Sequence, residues 1–216
     1  MLRIEGLDVS IQSVSILRGI SMEVPTGKFA GLIGRNGAGK TTLMRSVMGI
    51  LPALRGTIRF DEVAFDRMPA HQRARGGIGY MPEDRRLVPQ LSVEENVLIP
   101  AWAAGIADPA ARLAQIYKMI PEVEAFASRK ALQLSGGQQK LVALARALMC
   151  GTKLLLLDEP FEGVAPVLAH RLAEVIAGLK TQGLSVILTE SDLSHSEEIL
   201  DVVYTIDRGE VSVATV

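Results

Sequence analysis

Residues 34–42 read GRNGAGKTT and fit the spacing G-x-x-x-x-G-K-[ST]. A predicted strand at 29–33 precedes this loop, and a helix is expected to begin near Thr41. Glycines allow backbone N–H groups to surround a triphosphate, and the helix N-terminus adds the positive end of its dipole. We expect Lys40 to reach the β- and γ-phosphates and Thr41 to bind Mg²⁺. A glycine-rich turn without a ligand is the less favoured alternative. The predicted nucleotide-binding residues of the loop are Gly34, Arg35, Asn36, Gly37, Ala38, Gly39, Lys40, Thr41 and Thr42.

A second group of candidate residues follows the four leucines at 154–157, in the sequence LLLLDEP. An all-apolar run of this length is typical of a strand buried on both faces. Its two acids would lie at the sheet edge that carries the phosphate loop. We expect Asp158 to hold Mg²⁺ in its outer shell and Glu159 to orient or deprotonate the attacking water. The alternative, a solvated strand end, is less favoured.

A third polar cluster, Thr189-Glu190-Ser191-Asp192, follows the apolar residues 186–188. Loops at strand ends carry chemistry while the strands hold them in place. Ser191 is therefore a candidate site residue.

The elements that position these residues alternate along the chain. Strands are predicted over 4–9, 16–24, 29–33, 57–60, 78–81, 154–157 and 185–188. Helices are predicted from 41 to 49, from Asp108-Pro109 onward, from 137, over 166–180 and over 195–200, with a final hairpin at Arg208-Gly209. Alternation of strands and helices in the second half predicts a mostly parallel sheet in one α/β domain.

Composition limits the classes of function. The 216 residues have a net charge of −1, with 23 basic and 24 acidic side chains, so the basic excess of a nucleic-acid binder is absent. The single cysteine, Cys150, excludes an internal disulfide and fits a reducing compartment. No targeting segment and no run of about 20 apolar residues is seen. We expect a cytoplasmic protein that meets a membrane only through a partner.

The sequence LSGGQ at 134–138 opens the helix that precedes the leucine strand. Together with GRNGAGKTT and LLLLDEP it resembles the signature of ATP-binding cassette (ABC) ATPases, over essentially the whole chain. The resemblance implies a P-loop α/β fold, in which residues 1–83 and 134–216 together form a mostly parallel core and an N-terminal antiparallel β-subdomain. It also implies an inserted helical subdomain at about 84–133. In that family the signature faces the nucleotide of a second subunit, so a homo- or heterodimer is expected. The signature residues are Ser135, Gly136, Gly137 and Gln138.

The segments at 77–97 and 158–166 resemble the ATP-binding subunits of branched-chain amino acid importers, and urea-type importers match almost as well. The resemblance implies ATP and Mg²⁺ as ligands, membrane permease subunits as partners and a place on the cytoplasmic face of the membrane. It assigns the transported solute only by association.

Three positions depart from the family pattern. Ser191 stands where the family usually has a histidine at the γ-phosphate, and a hydroxyl is shorter and cannot carry positive charge. Ile11 stands where an aromatic ring often stacks on adenine. Glu83 stands where a glutamine usually joins Mg²⁺ to the membrane subunit, and its oxygens remain suitable ligands. We expect hydrolysis to persist, at a reduced rate.

Other features carry less weight. Trp102, near Pro100, is either an interface residue or a core aromatic of the helical insertion. Asp84-Arg85-Arg86 is either a coupling contact or a solvated loop, and Glu162-Gly163 match the segment that crosses the family's dimer interface. His195 is expected on the surface of the helix at 195–200. Two other functions stay open: a non-transport cassette ATPase, and a nucleotide-binding regulatory module with weak hydrolysis.

Overall fold

The computed structural model describes residues 1–66 and 68–214. The strands are β1 (Leu2–Ile11), β2 (Val14–Val24), β3 (Phe29–Ile33), β4 (Arg55–Phe60), β5 (Val63–Ala64), β6 (Ile78–Met81), β7 (Leu154–Asp158), β8 (Ser185–Glu190), β9 (Val202–Asp207) and β10 (Glu210–Val213). The helices are α1 (Lys40–Val47), α2 (Ala70–Arg75), α3 (Val93–Ala104), α4 (Pro109–Met119), α5 (Pro121–Ala125), α6 (Gly136–Cys150) and α7 (Pro166–Gly178).

A six-stranded sheet of order β10-β9-β3-β8-β7-β6 forms the centre of the molecule. Its strands pair in parallel, except that β10 runs antiparallel to β9. Every residue of β7 and β8 is buried, which is typical of parallel strands covered on both faces. Because β3, β8 and β7 are neighbours, the residues that follow them meet at one edge of the sheet. The predicted parallel core is therefore present.

A second sheet, of order β2-β1-β4-β5, is antiparallel and is built from the N-terminal residues. β1 and β2 are joined by Gln12 and Ser13, whose φ angles are 47° and 67°. Two left-handed residues give the twist that a two-residue hairpin requires. Ile11 pairs with Val14 at this tip.

Helices α3, α4 and α5 form the helical insertion and pack against α6. Val97 and Ile116 from the insertion share one apolar core with Leu144 and Leu155. Ser92 and Glu95 form a reciprocal capping box that begins α3, and Asp108 accepts from the Ala111 N–H at the start of α4. The helical part thus begins at residue 93, and residues 82–92 form its lead-in. In the part of the chain that the structure describes, no helix has the length and apolar character to cross a bilayer.

The predicted helix at 195–200 is wrong: the structure has only a 3₁₀ turn there, at Glu197–Ile199. Asp192 accepts from the backbone N–H of Ser194, and Ser196 donates to the Glu190 carboxylate. Such local side-chain bonds compete with the backbone bonds of a helix.

Trp102 is 58% exposed on α3, so its interpretation as a core aromatic is wrong.

Candidate nucleotide site

The candidate site is a cavity of about 440 Å³ at the carboxyl ends of β3 and β7. This volume lies within the range of small-molecule sites, about 300–1,000 Å³. It is lined by Ile16, Asn36, Gly37, Gly39, Lys40, Thr41, Thr42, Glu83 and Glu159. The structure thus brings together the phosphate loop, Glu159 directly after β7 and Glu83 after β6.

The phosphate loop needs glycine at particular points. Gly39 is the N-cap of α1 and has a φ of 116°, a backbone conformation that residues with a side chain rarely adopt. A Cβ on Gly34 would lie 2.2 Å from the carbonyl oxygen of Ile206 on β9. The loop is closed by bonds from Ala38 N to Arg35 O (3.1 Å) and from Gly34 N to Glu190 O (3.1 Å). The start of α1 lines the cavity, and a helix N-terminus in this position is suited to bind an anion.

Lys40 joins the loop to the acid after β7. Its ammonium donates to the carbonyls of Gly34 and Arg35 and lies 2.9 Å from Oε1 of Glu159. The Lys40 and Glu159 side chains are 5% and 7% exposed, so this ion pair is shielded from solvent.

Asp158 lies beneath the cavity, fully buried at the end of β7. Its carboxylate accepts hydrogen bonds from three hydroxyl groups: Thr41 Oγ1 at 3.1 Å, Thr189 Oγ1 at 3.0 Å and the Tyr80 hydroxyl at 3.2 Å. Burial raises the pKa of Asp158, and these three bonds act in the opposite direction. The carboxylate therefore faces hydroxyl groups from α1, β8 and β6.

Thr41, Asp158 and Glu83 supply the oxygen atoms that a divalent cation prefers. Partial desolvation raises the pKa of Glu83, and the nearby carboxylates of Glu162, Asp158 and Glu159 raise it further. Mutual repulsion among carboxylates is relieved by a bound cation. The residues present therefore fit Mg²⁺.

Glu159 has an unusual backbone conformation, with a φ of 48°. Its N–H donates to Thr189 Oγ1 (3.0 Å), and its carbonyl accepts from Glu162 N (3.3 Å) and Lys140 Nζ (2.5 Å). A non-glycine residue in this region persists only when its surroundings hold it there. The geometry therefore fixes the point from which the Glu159 carboxylate projects.

Ser191 lies at the edge of this site and is exposed. Its hydroxyl is 3.2 Å from Asn36 Oδ1 and 3.5 Å from Glu159 Oε1. A second hollow, of about 180 Å³, contains Glu159, Ser191 and His195. His195 is exposed as expected, but it lies in a loop, where its ring is 5.4 Å from that of Phe161.

Two groups of predicted residues lie elsewhere. In the signature, Ser135 caps α6 in a reciprocal box with Gln138, and Ser135 and Gly136 are exposed. The described residues that line the cavity include neither the signature residues nor Ile11. Ile11 ends β1, 38% exposed, and Ile16 on β2 lines the cavity instead.

The loop at 84–86 is anchored and not merely solvated. Arg146 of α6 donates to the carbonyls of Arg85 and Arg86, and Arg85 donates to Gln139 Oε1 at 3.2 Å. The loop that follows Glu83 is therefore tied to the signature helix. Glu162 and Gly163 are exposed on the turn after β7.

Sequence reasoning missed four residues of the site: Ile16, Tyr80, Lys140 and Thr189. Thr189 belongs to the polar cluster after residues 186–188, so its position at a strand end was a usable signal. Lys140 offered another signal, because a lysine within an apolar helical stripe needs a partner. Nothing in the local sequence distinguishes Tyr80 or Ile16.

A phosphate loop between a strand and a helix, with an acid pair at the end of a buried parallel strand of the same sheet, defines a P-loop nucleotide-hydrolysing protein. The sequence pattern described as "ABC transporter" matches residues 17–162. The chain belongs to this family and is an ABC ATPase.

Two relatives and one solved structure illustrate the similarity. The chain is 32% identical to the high-affinity branched-chain amino acid transport ATP-binding protein BraG of Pseudomonas aeruginosa, over 98% of the chain and 91% of BraG. It is 33% identical to the lipopolysaccharide export system ATP-binding protein LptB of Escherichia coli, over 90% of the chain and 81% of LptB. The crystal structure of a nucleotide-free ATP-binding cassette from an ABC transporter superposes with a TM-score of 0.86 at 28% identity, covering 98% and 89% of the two chains. The predicted fold class is confirmed.

Proposed function

We propose that the chain is the ATP-hydrolysing subunit of an importer for branched-chain amino acids or a similar small solute. The observation that carries the importer assignment is the pair of segments at 77–97 and 158–166, which resemble importer subunits. The match to BraG over nearly the whole of both chains supports it. The ATPase itself does not contact the solute, so the solute class follows from similarity alone.

In the proposed reaction, the loop amides and Lys40 bind the β- and γ-phosphates, and Ile16 lies near the base. Glu159 orients the attacking water and takes its proton as the water oxygen bonds to the γ-phosphorus and the bond to ADP breaks. Ser191 donates to the transferred phosphoryl group, as a short and neutral replacement for an imidazole.

Thr41, Asp158 and Glu83 would hold Mg²⁺. When bound, the ion neutralises charge on the β- and γ-phosphate oxygens. Asp158 is held for this role by the hydroxyls of Thr189 and Tyr80.

The proposed working unit contains two cassettes. The exposed signature at the start of α6 would bind the nucleotide held by a second subunit, of the same or a related sequence. Residues 1–216 would act as one ATPase domain on the cytoplasmic face of the membrane. The helical insertion with Trp102 would contact the permease subunits, so that closure and opening of the dimer move them.

Lipopolysaccharide export is a second candidate, because LptB relatives match at 33% identity against 32% for BraG. The two candidates differ in cargo and permease and share the ATPase reaction.

Phosphate release at saturating Mg-ATP tests the reaction, in the wild type and in Glu159→Gln. We expect turnover in the wild type and a loss of at least about 100-fold in the variant, because the water loses its base. Glu124→Gln, an exposed glutamate on α5, is the matched control. Equal turnover in wild type and Glu159→Gln would exclude the assigned catalytic role.

Two assays separate the candidates: uptake of labelled leucine, and lipopolysaccharide transport. Both are made in cells that lack the protein and are complemented with either the wild type or Glu159→Gln. Rescue of leucine uptake by wild type alone would support the importer. Rescue of lipopolysaccharide transport alone would support the exporter.

A further inference from the structure

Lys140 is a charged residue in the interior of the protein. It is 1% exposed, and the three residues that follow it on α6, Leu141, Val142 and Ala143, are each exposed by 1% or less. Burying an ammonium group is costly unless it is compensated by bonds or opposite charge. The proposed reaction does not use this lysine, so its position needs another explanation.

The direct partner of the Lys140 ammonium is a peptide oxygen. Lys140 Nζ donates to the Glu159 carbonyl at 2.5 Å. Among the ion pairs of residues 1–66 and 68–214, none includes Lys140. Burial and then the charge of Arg85 lower the pKa of Lys140, while the carboxylates of Glu162, Glu83 and Glu159 raise it. A cation among acids thus makes its closest contact with the backbone of one of them.

The Glu159 backbone is held on both sides. The Glu159 N–H donates to Thr189 Oγ1. The Glu159 carbonyl accepts from Lys140 Nζ and from Glu162 N. These bonds secure a left-handed φ of 48° that a glutamate does not prefer. The Lys140 bond comes from a helix 19 residues away in sequence, so it fixes the turn relative to α6.

The Glu159 side chain, in contrast, pairs with Lys40, the residue assigned to the phosphates. When Lys40 engages a phosphate, the carboxylate loses that contact. The backbone bonds then determine where the carboxylate lies, and catalysis falls steeply when a reacting group is misplaced by even about 1 Å.

We propose that Lys140 is a positioning residue for Glu159, which acts through the Glu159 carbonyl to keep the carboxylate in its catalytic place. The inference rests on the proposed function, because it takes Glu159 as the base of ATP hydrolysis. Lys140 contacts no reacting atom. Its effect is therefore on turnover and not on nucleotide affinity.

The test compares Lys140→Met, which removes the donor at similar length, with Lys140→Gln, which keeps a neutral donor. Four quantities are measured for each full-length variant: kcat and KM for Mg-ATP, the Kd for Mg-ADP and the thermal midpoint of unfolding. We expect Lys140→Met to lower kcat at least about tenfold, with KM and Kd within about twofold of wild type. Lys140→Gln should stay within about fivefold of the wild-type kcat, because its amide still donates. Lys118→Met, an exposed lysine on α4, should leave all four quantities unchanged.

An unchanged kcat in Lys140→Met would overturn the inference while leaving the proposed function in place. A parallel loss of kcat, nucleotide affinity and thermal midpoint in both variants would also overturn it, because it would show a purely structural role. Wild-type turnover that is insensitive to Glu159→Gln would remove the proposed function, and the inference with it.

Discussion

Lys40 and Glu159 form a buried ion pair, with Nζ and Oε1 2.9 Å apart, in the cavity proposed for ATP. The phosphates of ATP would bind the same ammonium, so the nucleotide and the glutamate compete for it. A carboxylate released from this pair is free to hold a water molecule. In this way the arrangement can couple the release of the base to the presence of the phosphate.

The short side chain of Ser191 limits the donor that the site can offer. Its hydroxyl has one proton to share between Asn36 Oδ1 and Glu159 Oε1, 3.2 and 3.5 Å away. We expect Ser191→His to raise turnover about tenfold, because an imidazole reaches further and can carry positive charge. Losing one positioned donor typically costs about 10² to 10³ in rate, so partial recovery of this size is reasonable.

Steady-state phosphate release at saturating Mg-ATP measures this effect. Ser212→His on β10, an exposed serine in a different part of the fold, serves as the matched control. A turnover in Ser191→His equal to or below that of wild type, with an unchanged thermal midpoint, would contradict the donor role.

At the scale of elements, the end of α1 depends on one buried guanidinium. Arg73 of α2 is 5% exposed. It donates to the carbonyls of Ser46 and Val47 in α1 at 2.9 and 2.8 Å. It also donates to those of Phe65 and Met68 at 2.6 and 2.8 Å. One side chain thus satisfies carbonyls in the helix that carries the phosphate loop at its other end.

Arg73→Ala is expected to lower the free energy of unfolding by about 2–4 kcal/mol, since buried carbonyls lose their donor and a cavity remains. Urea unfolding followed by circular dichroism measures the change. Arg75→Ala, an exposed arginine of the same helix, should shift it by less than about 0.5 kcal/mol. Equal effects of the two substitutions would show that the carbonyl contacts do not stabilise α1.

The end of β8 contains an acid that the fold keeps protonated to unusually high pH. Burial raises the pKa of Glu190 to about 7, and the charges of Asp192 and Glu159 act in the same direction, against the bond from Ser196. In the unfolded chain a glutamate titrates near 4.3. Between these values the folded state holds a proton that the unfolded state has released. The contribution of Glu190 to stability is therefore present at low pH and is lost as the pH rises toward 7.

Glu190→Gln removes this titration. We expect the free energy of unfolding of the variant, relative to wild type, to increase by about 1–3 kcal/mol between pH 4.5 and 7 and then to level off. Urea unfolding at half-unit pH intervals measures the difference. Glu198→Gln, at an exposed position, should run parallel to wild type. A parallel profile for Glu190→Gln as well would mean that Glu190 titrates alike in both states.

Elements with strong local patterns could be predicted from the sequence. The phosphate loop between β3 and α1 could be predicted because its glycines and the flanking periodicity are local features. The apolar run at 154–157 predicted the buried strand β7 for the same reason. The segment at 195–200 had the composition of a helix, yet the bonds of Asp192 and Ser196 to neighbouring groups left only a 3₁₀ turn.

Contacts between distant elements could not be predicted in the same way. Tyr80 and Thr189 meet at Asp158 only because β6 and β8 flank β7 in the sheet. Lys140 reaches Glu159 only because α6 packs beneath the turn after β7. Sheet order and helix packing decide these contacts, and neither is encoded in the spacing of a single motif.

At the scale of the whole molecule, the phosphate loop and the signature form separate surfaces. The signature residues Ser135 and Gly136 are exposed, and none of residues 135–138 is among the described residues lining the nucleotide cavity. The start of α6 is a helix N-terminus, which favours anions, and it lies outside that cavity. Two copies related by a twofold axis would place each signature against the other copy's phosphate loop, as an isologous interface allows.

A homodimer of this kind would make a mixture of two inactive variants partly active. Lys40→Met damages the phosphate loop, and Ser135→Arg blocks the signature, so a homodimer of either has no intact composite site. A mixed dimer has one intact site, made from the phosphate loop of one copy and the signature of the other. After equal mixing, half the dimers are mixed and half their sites are intact, so phosphate release should recover to roughly a quarter of wild type. Mixing Lys40→Met with Lys40→Met,Ser135→Arg is the control, because no intact site can form. Absence of recovery in the first mixture, with dimers present by sedimentation, would exclude a homodimer with shared sites.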